Sequence, residues 1–162
     1  MELIDIGLNL MHKSYNKDRR EIILNGDKVG VKKAIITGTS INSSIEALDY
    51  ASNYPGVLYS TAGVHPHDAK TCDENTLSIR RFSKKRICSC NWWMRPIPPE
   101  RLMVETDCSF LIPRDLKPKP KKHRNEPKYL PHILNRIAYE MDIDSKILAI
   151  KVTKNTKEFF NI

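Results

Sequence analysis

Leu102-Met-Val-Glu-Thr-Asp107 decides how the rest of the chain is read. It is a short β-type run that brings two carboxylates, Glu105 and Asp107, to its C-terminal end, where a parallel α/β enzyme places a metal ligand or a general base. A carboxylate that ends an apolar strand costs desolvation unless a cation or hydrogen-bond donors meet it. That favours a functional role for Asp107, against the plainer alternative of an Asp that caps the next turn.

Upstream, strand and helix signals alternate. Leu3-Ile4-Asp5-Ile6 reads as a strand and Asp18 to Gly26 as a helix, with Asp18 near its start and Gly26 near its end. Lys33 to Thr37 reads as a buried strand. Ser40 opens a helix running to about Asn53, with Ile41, Ile45 and Leu48 expected on its buried face, and Pro55-Gly56 turns the chain. Val57 to Ala62 is a third strand, and Asp73 to Phe82 a further helix. Repeated strand-helix units imply a parallel sheet. Downstream of Asp107, Tyr129 to Met141 reads as an amphipathic helix carrying Leu130, Ile133, Leu134, Ile137 and Tyr139. Two short helices are expected to finish the chain, the first capped by Asp144 and the second starting near Thr153 or Asn155.

The third strand leads into His65-Pro66-His67-Asp68, which puts two imidazoles and a carboxylate at the same end of the sheet as Asp107. Two histidines at that spacing suit a metal or a phosphate, although such a pair in a loop is more often structural. Between Leu111 and Arg136 eight basic side chains face only Asp115 and Glu126, which is most of the net charge of +8. A polyanion such as nucleic acid fits that field; the plainer reading is a solvated loop. Within the segment, Arg114 and Arg124-Asn125 offer forked donors for phosphate, or else pin the loop through their own ion pairs.

The four cysteines, Cys72, Cys88, Cys90 and Cys108, lack the paired spacing of a zinc ribbon or a disulfide framework. Trp92-Trp93 has the composition of a base-stacking pair. The start of the chain has no apolar signal region, and no run of about eighteen apolar residues spans a bilayer. A cytoplasmic protein without membrane contact is expected, with 162 residues filling one domain.

Taken together, Ile4 to Leu10, Ile36 to Thr39, Ser60 to Asp68, Glu105-Thr-Asp107, Leu111 to Leu116, Lys119-Pro120 and Arg124 to Pro127 with Leu130 to Leu134 resemble the TatD family in colinear order. The resemblance implies a metal-dependent hydrolase on a TIM (β/α)8 barrel. It further implies 3′ to 5′ exonuclease action on single-stranded DNA or RNA with Mg²⁺, or alternatively Mn²⁺. By residue matching, it makes Asp107 a metal ligand and catalytic group, places His65 and His67 beside it, and assigns Arg114, Arg124 and Asn125 to substrate binding. Where other members carry His-x-His on the first strand, Gly7 and Asn9 stand here.

The chain departs from that family in one respect. Its segments match the first, second, third and eighth strands, so a partial barrel is expected in which strands four to seven, with most of the metal ligands, are missing. The third and eighth strands should then pair directly or expose their edges. Residues 1–85 and 97–162 carry the family pattern, and 86–96 do not. Trp92, Trp93 and Met94 each have a single codon, and reading those codons from the second base gives Gly-Gly. With suitable codons, Ile87 to Arg95 shifted in this way spells a fourth-strand motif of the family, so a frameshift followed by a deletion explains the misfit. On that view Cys88, Cys90, Trp92 and Trp93 have no chemical role. An impaired hydrolase, probing single strands as a monomer, is the first reading; a nucleic-acid-binding remnant without chemistry and the product of a decaying gene are the alternatives.

Overall fold

The computed structural model describes residues 1–67, 98–120 and 123–162. Three strands, β1 (Leu3–Leu8), β2 (Val31–Ile36) and β3 (Leu58–Ser60), form a parallel sheet in that order. Helix α1 (Arg19–Lys28) links the first pair and α2 (Ile41–Ser52) the second. On the other side of β1, residues 102–108 run alongside in parallel. The Ile6 N–H donates to the Val104 carbonyl (3.3 Å), the Asn9 N–H donates to the Cys108 carbonyl (2.8 Å), and Leu8 bridges to Cys108. The layer therefore reads 102–108, β1, β2, β3.

Of the two arrangements expected for the eighth strand, this is the second: its segment pairs with β1 and not with β3, so it and β3 are the outer members of the described layer. The reason lies in β1, whose Leu3, Ile4, Asp5 and Leu8 are all buried. Its backbone groups facing away from β2 are shielded from water and need partners, and residues 102–108 supply them. The pairing is irregular: Asp107 enters the left-handed region at φ 51°, and the contact with β1 continues beyond it at Cys108.

Helix α2 begins as the sequence indicates, with a capping box between Ser40 and Ser43. Its buried face is different from the one expected. Ser44, Ala47 and Ala51 face inward, while Ile45 and Leu48 are 53% and 58% exposed. Close approach selects the small residues. A Cβ on Gly38 would collide with the Ser44 hydroxyl and the Thr61 carbonyl, and the Gly63 N–H donates to Ser44 Oγ (3.3 Å). No bulky side chain fits at that contact.

Helix α3 (Leu130–Glu140) buries Leu130, Leu134 and Ala138 and leaves Tyr139 outside, contrary to expectation. The C-terminal pair of helices is in fact one, α4 (Ser145–Phe160), capped by the Asp144 carboxylate, which accepts from the N–H groups of Lys146 and Ile147. The polar residues that suggested a break are tertiary ties instead. Thr153 donates to the Glu2 carbonyl (2.8 Å), and Asn155 donates to the carbonyls of Pro99 and Leu102 (both 2.8 Å).

Two apolar cores result. One joins β1 and β2 to α1, α2, Tyr15 and Cys108; the other seals Leu3, Val31 and Val104 beneath α3 and α4. Among the described residues no helix is long and apolar enough to cross a membrane.

Candidate active site at the carboxyl ends of the strands

Because the strands are parallel, the residues that follow them gather on one rim: Asn9 after β1, Thr39 after β2, His65 after β3, and Asp107 on the returning segment. Asp107 is half-buried, and its Oδ1 accepts a hydrogen bond from Asn9 Nδ2 (3.2 Å), which also donates to the Cys108 carbonyl (3.0 Å). Asn9 thus fixes the carboxylate expected to act. His65 and His67 are exposed and meet edge to face with ring centroids 4.6 Å apart. The His65 N–H donates to the Thr39 carbonyl (2.8 Å), and the His67 N–H donates to His65 Nδ1 (3.2 Å). Asp68, Lys121, Lys122, the helix expected over 73–82, the junction at 86–96, Cys72, Cys88, Cys90, Trp92 and Trp93 lie outside the described residues.

Beneath the rim Glu105 and Asp107 are joined by a third carboxylate, Asp5, that the sequence does not single out. Asp5 is fully buried; it accepts from the Gly7 N–H (3.2 Å), the Thr106 N–H (3.0 Å) and the Thr106 hydroxyl (2.6 Å). Burial pushes its carboxyl above the ordinary range, the bonds from Thr106 and Gly7 oppose the shift, and Asp107 adds to it. Glu105 is also raised, first by burial of its carboxyl and then by Asp107 and Asp5. Although Glu105 as a residue is exposed, its carboxyl packs against β1 so closely that a Cβ on Gly7 would collide with it.

The raised Asp5 has a definite stability signature. Its folded pKa lies above its unfolded value, so its favourable contribution is full below the ordinary value of 3.8 and is lost as pH rises through the folded value. Asp5→Asn preserves all three contacts, since the Asn carbonyl can accept both N–H bonds and its amide can donate to the Thr106 hydroxyl. The variant is expected to exceed the parent by roughly 1–2 kcal/mol at pH 7, with the gap closing as pH falls toward 4. Urea unfolding across that pH range measures it; a less stable variant at pH 7 contradicts the assignment.

The guanidinium assigned to substrate, Arg124, is buried and engaged internally. It forms ion pairs with Asp18 and with Glu126 (3.1 Å to the latter), donates to the Ser14 carbonyl, and lies 4.8 Å from the Tyr15 ring centroid. Asn125 is fully buried. Its amide donates to the carbonyls of Thr106 (2.7 Å) and Leu111 (3.3 Å), and its Oδ1 accepts from the Glu126 N–H (2.9 Å). In this arrangement the plainer alternative, a loop pinned by its own contacts, describes both residues. Arg114 is exposed, and neighbouring Asp115 pairs with His132 (3.0 Å).

A second feature of the rim was not read from the sequence. His12, Ser14, Ser109, Phe110, His123 and Arg124 line an open pocket of about 370 Å³. His12 Nδ1 lies 2.9 Å from Ser14 Oγ and 3.1 Å from Ser109 Oγ, and its ring meets Phe110 edge to face at 5.3 Å. The available signal was positional: His12 and Ser109 both stand in loops that follow parallel strands.

The described residues hold no complete ligand set for the divalent ion implied by the family resemblance. Among the described residues no three His, Cys, Asp or Glu side chains come together in a group able to hold a metal. Asp5 is fully enclosed by its donors, and Asp107 is engaged by Asn9.

A parallel α/β sheet whose strand ends share one rim, and whose last extended segment returns to the first strand, is part of a (β/α)8 barrel. The profile of the TatD related DNases matches residues 4–90 and 83–161, and the chain belongs to that family. Among similar proteins are the 3′-5′ ssDNA/RNA exonucleases TatD of Pectobacterium carotovorum, 25% identical over 259 positions with 99% of this chain and 100% of that protein covered, and of Salmonella typhimurium, 27% identical over 259 positions with 99% of each covered. A crystal structure of a hydrolase TatD family protein from Entamoeba histolytica shares the fold, with a TM-score of 0.78 at 17% identity, covering 99% of this chain and 98% of that one. Alignments of 259 positions reach both ends of a 162-residue chain, so the shortfall is internal. The described strands correspond to the first, second, third and eighth of the barrel.

Proposed function

We propose that this chain is a TatD-type hydrolase of phosphodiester bonds, directed at the 3′ ends of single-stranded DNA or RNA, whose catalytic rate is strongly reduced. The observation that carries this reading is the rim itself, where Asn9, His65, His67 and Asp107 follow parallel strands in the order of an intact barrel while no group of three metal-ligating side chains forms among the described residues. Asp107, oriented by Asn9, is the group placed to take a proton from an attacking water. His65 and His67 offer ring nitrogens to a phosphate. The basic stretch around Arg114 attracts the backbone of the strand.

The chain acts as a monomer in the cytoplasm, a compartment compatible with the free, buried Cys108 thiol. On this reading the chain is one truncated domain, its parts 1–85 and 97–162 joined by a frameshifted junction over 86–96.

A 5′-labelled single-stranded oligonucleotide, incubated with the purified chain and Mg²⁺ or Mn²⁺, should shorten from its 3′ end at a rate at least about a hundredfold below that of an intact relative. Asp107→Asn should abolish the remainder. Shortening that persists unchanged in Asp107→Asn would remove this carboxylate from the reaction. Strand binding without any shortening, falling steeply with salt, would favour the non-catalytic binding remnant.

A further inference from the structure

We propose that the pocket between His12, Ser109, Phe110 and His123 binds one nucleotide, with the base against the Phe110 ring and the phosphate on the two imidazoles. The ligand class rests on the nucleic-acid reading above; the pocket itself rests on geometry. Its volume of about 370 Å³ lies within the roughly 300–1,000 Å³ of small-molecule sites. One wall is an aromatic ring that is 51% exposed yet held in place, by the edge contact with His12 and by the Phe110 N–H donating to the Asp107 carbonyl (3.0 Å). A fixed, solvent-facing ring is a platform for a nucleobase, which stacks whatever its sequence identity.

The polar wall is set by the state of His12. The Ser14 N–H donates to Nδ1 (3.3 Å), so Nδ1 is the unprotonated nitrogen and Nε2 carries the hydrogen. The hydroxyls of Ser14 and Ser109 also approach Nδ1, holding the ring from that side. Nε2–H has no partner among the described residues and offers a donor to a phosphate oxygen. His123 is exposed on the same pocket and offers a second ring nitrogen. The Arg124 guanidinium forms part of the wall, but Asp18 and Glu126 neutralise it. Among the described residues an anion therefore meets imidazoles and hydroxyls without a free guanidinium, and inorganic phosphate alone should bind poorly. Base and phosphate together make the ligand. Since Ser109 and Phe110 follow closely on Asp107, a nucleotide seated here lies next to the carboxylate on the rim.

Calorimetric titration of the full chain with dAMP, deoxyadenosine and inorganic phosphate tests the pocket. dAMP should bind more tightly than either fragment. Phe110→Ala should weaken dAMP about tenfold. His12→Asn, whose amide can keep the contact with the serine hydroxyls but lacks Nε2, should weaken dAMP while leaving deoxyadenosine nearly unchanged. Both variants should melt with the parent, since neither side chain lies in a core. Phosphate binding as tightly as dAMP, or an undiminished dAMP affinity in Phe110→Ala, overturns the proposal. Failure of a single-stranded decanucleotide to displace bound dAMP would sink the strand-end reading and leave a free-nucleotide pocket.

Discussion

Arg124→Met is expected to cost about 3 to 5 kcal/mol of folding stability, a loss visible as a large fall in the urea midpoint. The guanidinium is only 10% exposed and is shared by two carboxylates, Asp18 at the start of α1 and Glu126 ahead of α3. It also satisfies the Ser14 carbonyl and lies over the Tyr15 ring. Removing it takes the common cation from two carboxylates in a largely dry setting, and Lys128 Nζ, 2.6 Å from Glu126, compensates on one side alone. The same side chain joins the loop after β1 to the loop before α3, so its loss loosens both. Lys151→Met supplies the contrast, because its pair with Glu100 is solvent-exposed at 41% and 68% and should hardly move the midpoint. Equal shifts in the two variants would show that Arg124 is not the clamp described.

Asn125→Asp should be comparably damaging, at about 3 kcal/mol or more at pH 7, although it changes one atom. The amide of Asn125 donates to the carbonyls of Thr106 and Leu111. A carboxylate would direct negative charge at both from a fully buried position. The new group would have a folded pKa above its unfolded one, so the penalty is present at neutral pH and shrinks as pH falls toward the unfolded value near 4. Urea unfolding of the variant at pH 7 and at pH 4.5 reads both the loss and its partial recovery. A penalty that does not change with pH would mean that shape, and not charge, is what Asn125 provides.

Several parts of this architecture were legible in the residues. Ser40 and Asp144 mark helix starts because their side chains can only satisfy orphan N–H groups at those positions. Asp107 at the end of an apolar run was recognisable as a rim residue, and the family motifs ordered the segments along the barrel. The buried face of α2 was not legible, because apolar periodicity favours Ile45 and Leu48, while the actual constraint is how closely the helix approaches Gly38 and Gly63. The break expected in α4 failed for a related reason. Thr153 and Asn155 look like the start of a separate helix until the carbonyls they reach, on Glu2, Pro99 and Leu102, are known. At the site, the acidic cluster of Asp5, Glu105 and Asp107 joins positions a hundred residues apart, and Asp5 within Leu3-Ile4-Asp5-Ile6 had no local signal of its partner Thr106. His12 likewise acquires its meaning only once Ser109 is brought beside it.

The placement of residues 102–108 against β1 has a consequence for synthesis on the ribosome. The first strand to emerge finds β2 early, but the segment on its other side and α4, which binds the Glu2 carbonyl and pairs Lys157 with Glu2 (2.8 Å), are made only after residue 101. Domain closure thus awaits translation of the final helix, and until residues 102–108 emerge one flank of β1 is an open template for other strands. Nascent chains of this protein should therefore lean on chaperones that shield extended segments, and a ribosome stalled before residue 102 would hold a product with β1 half-paired.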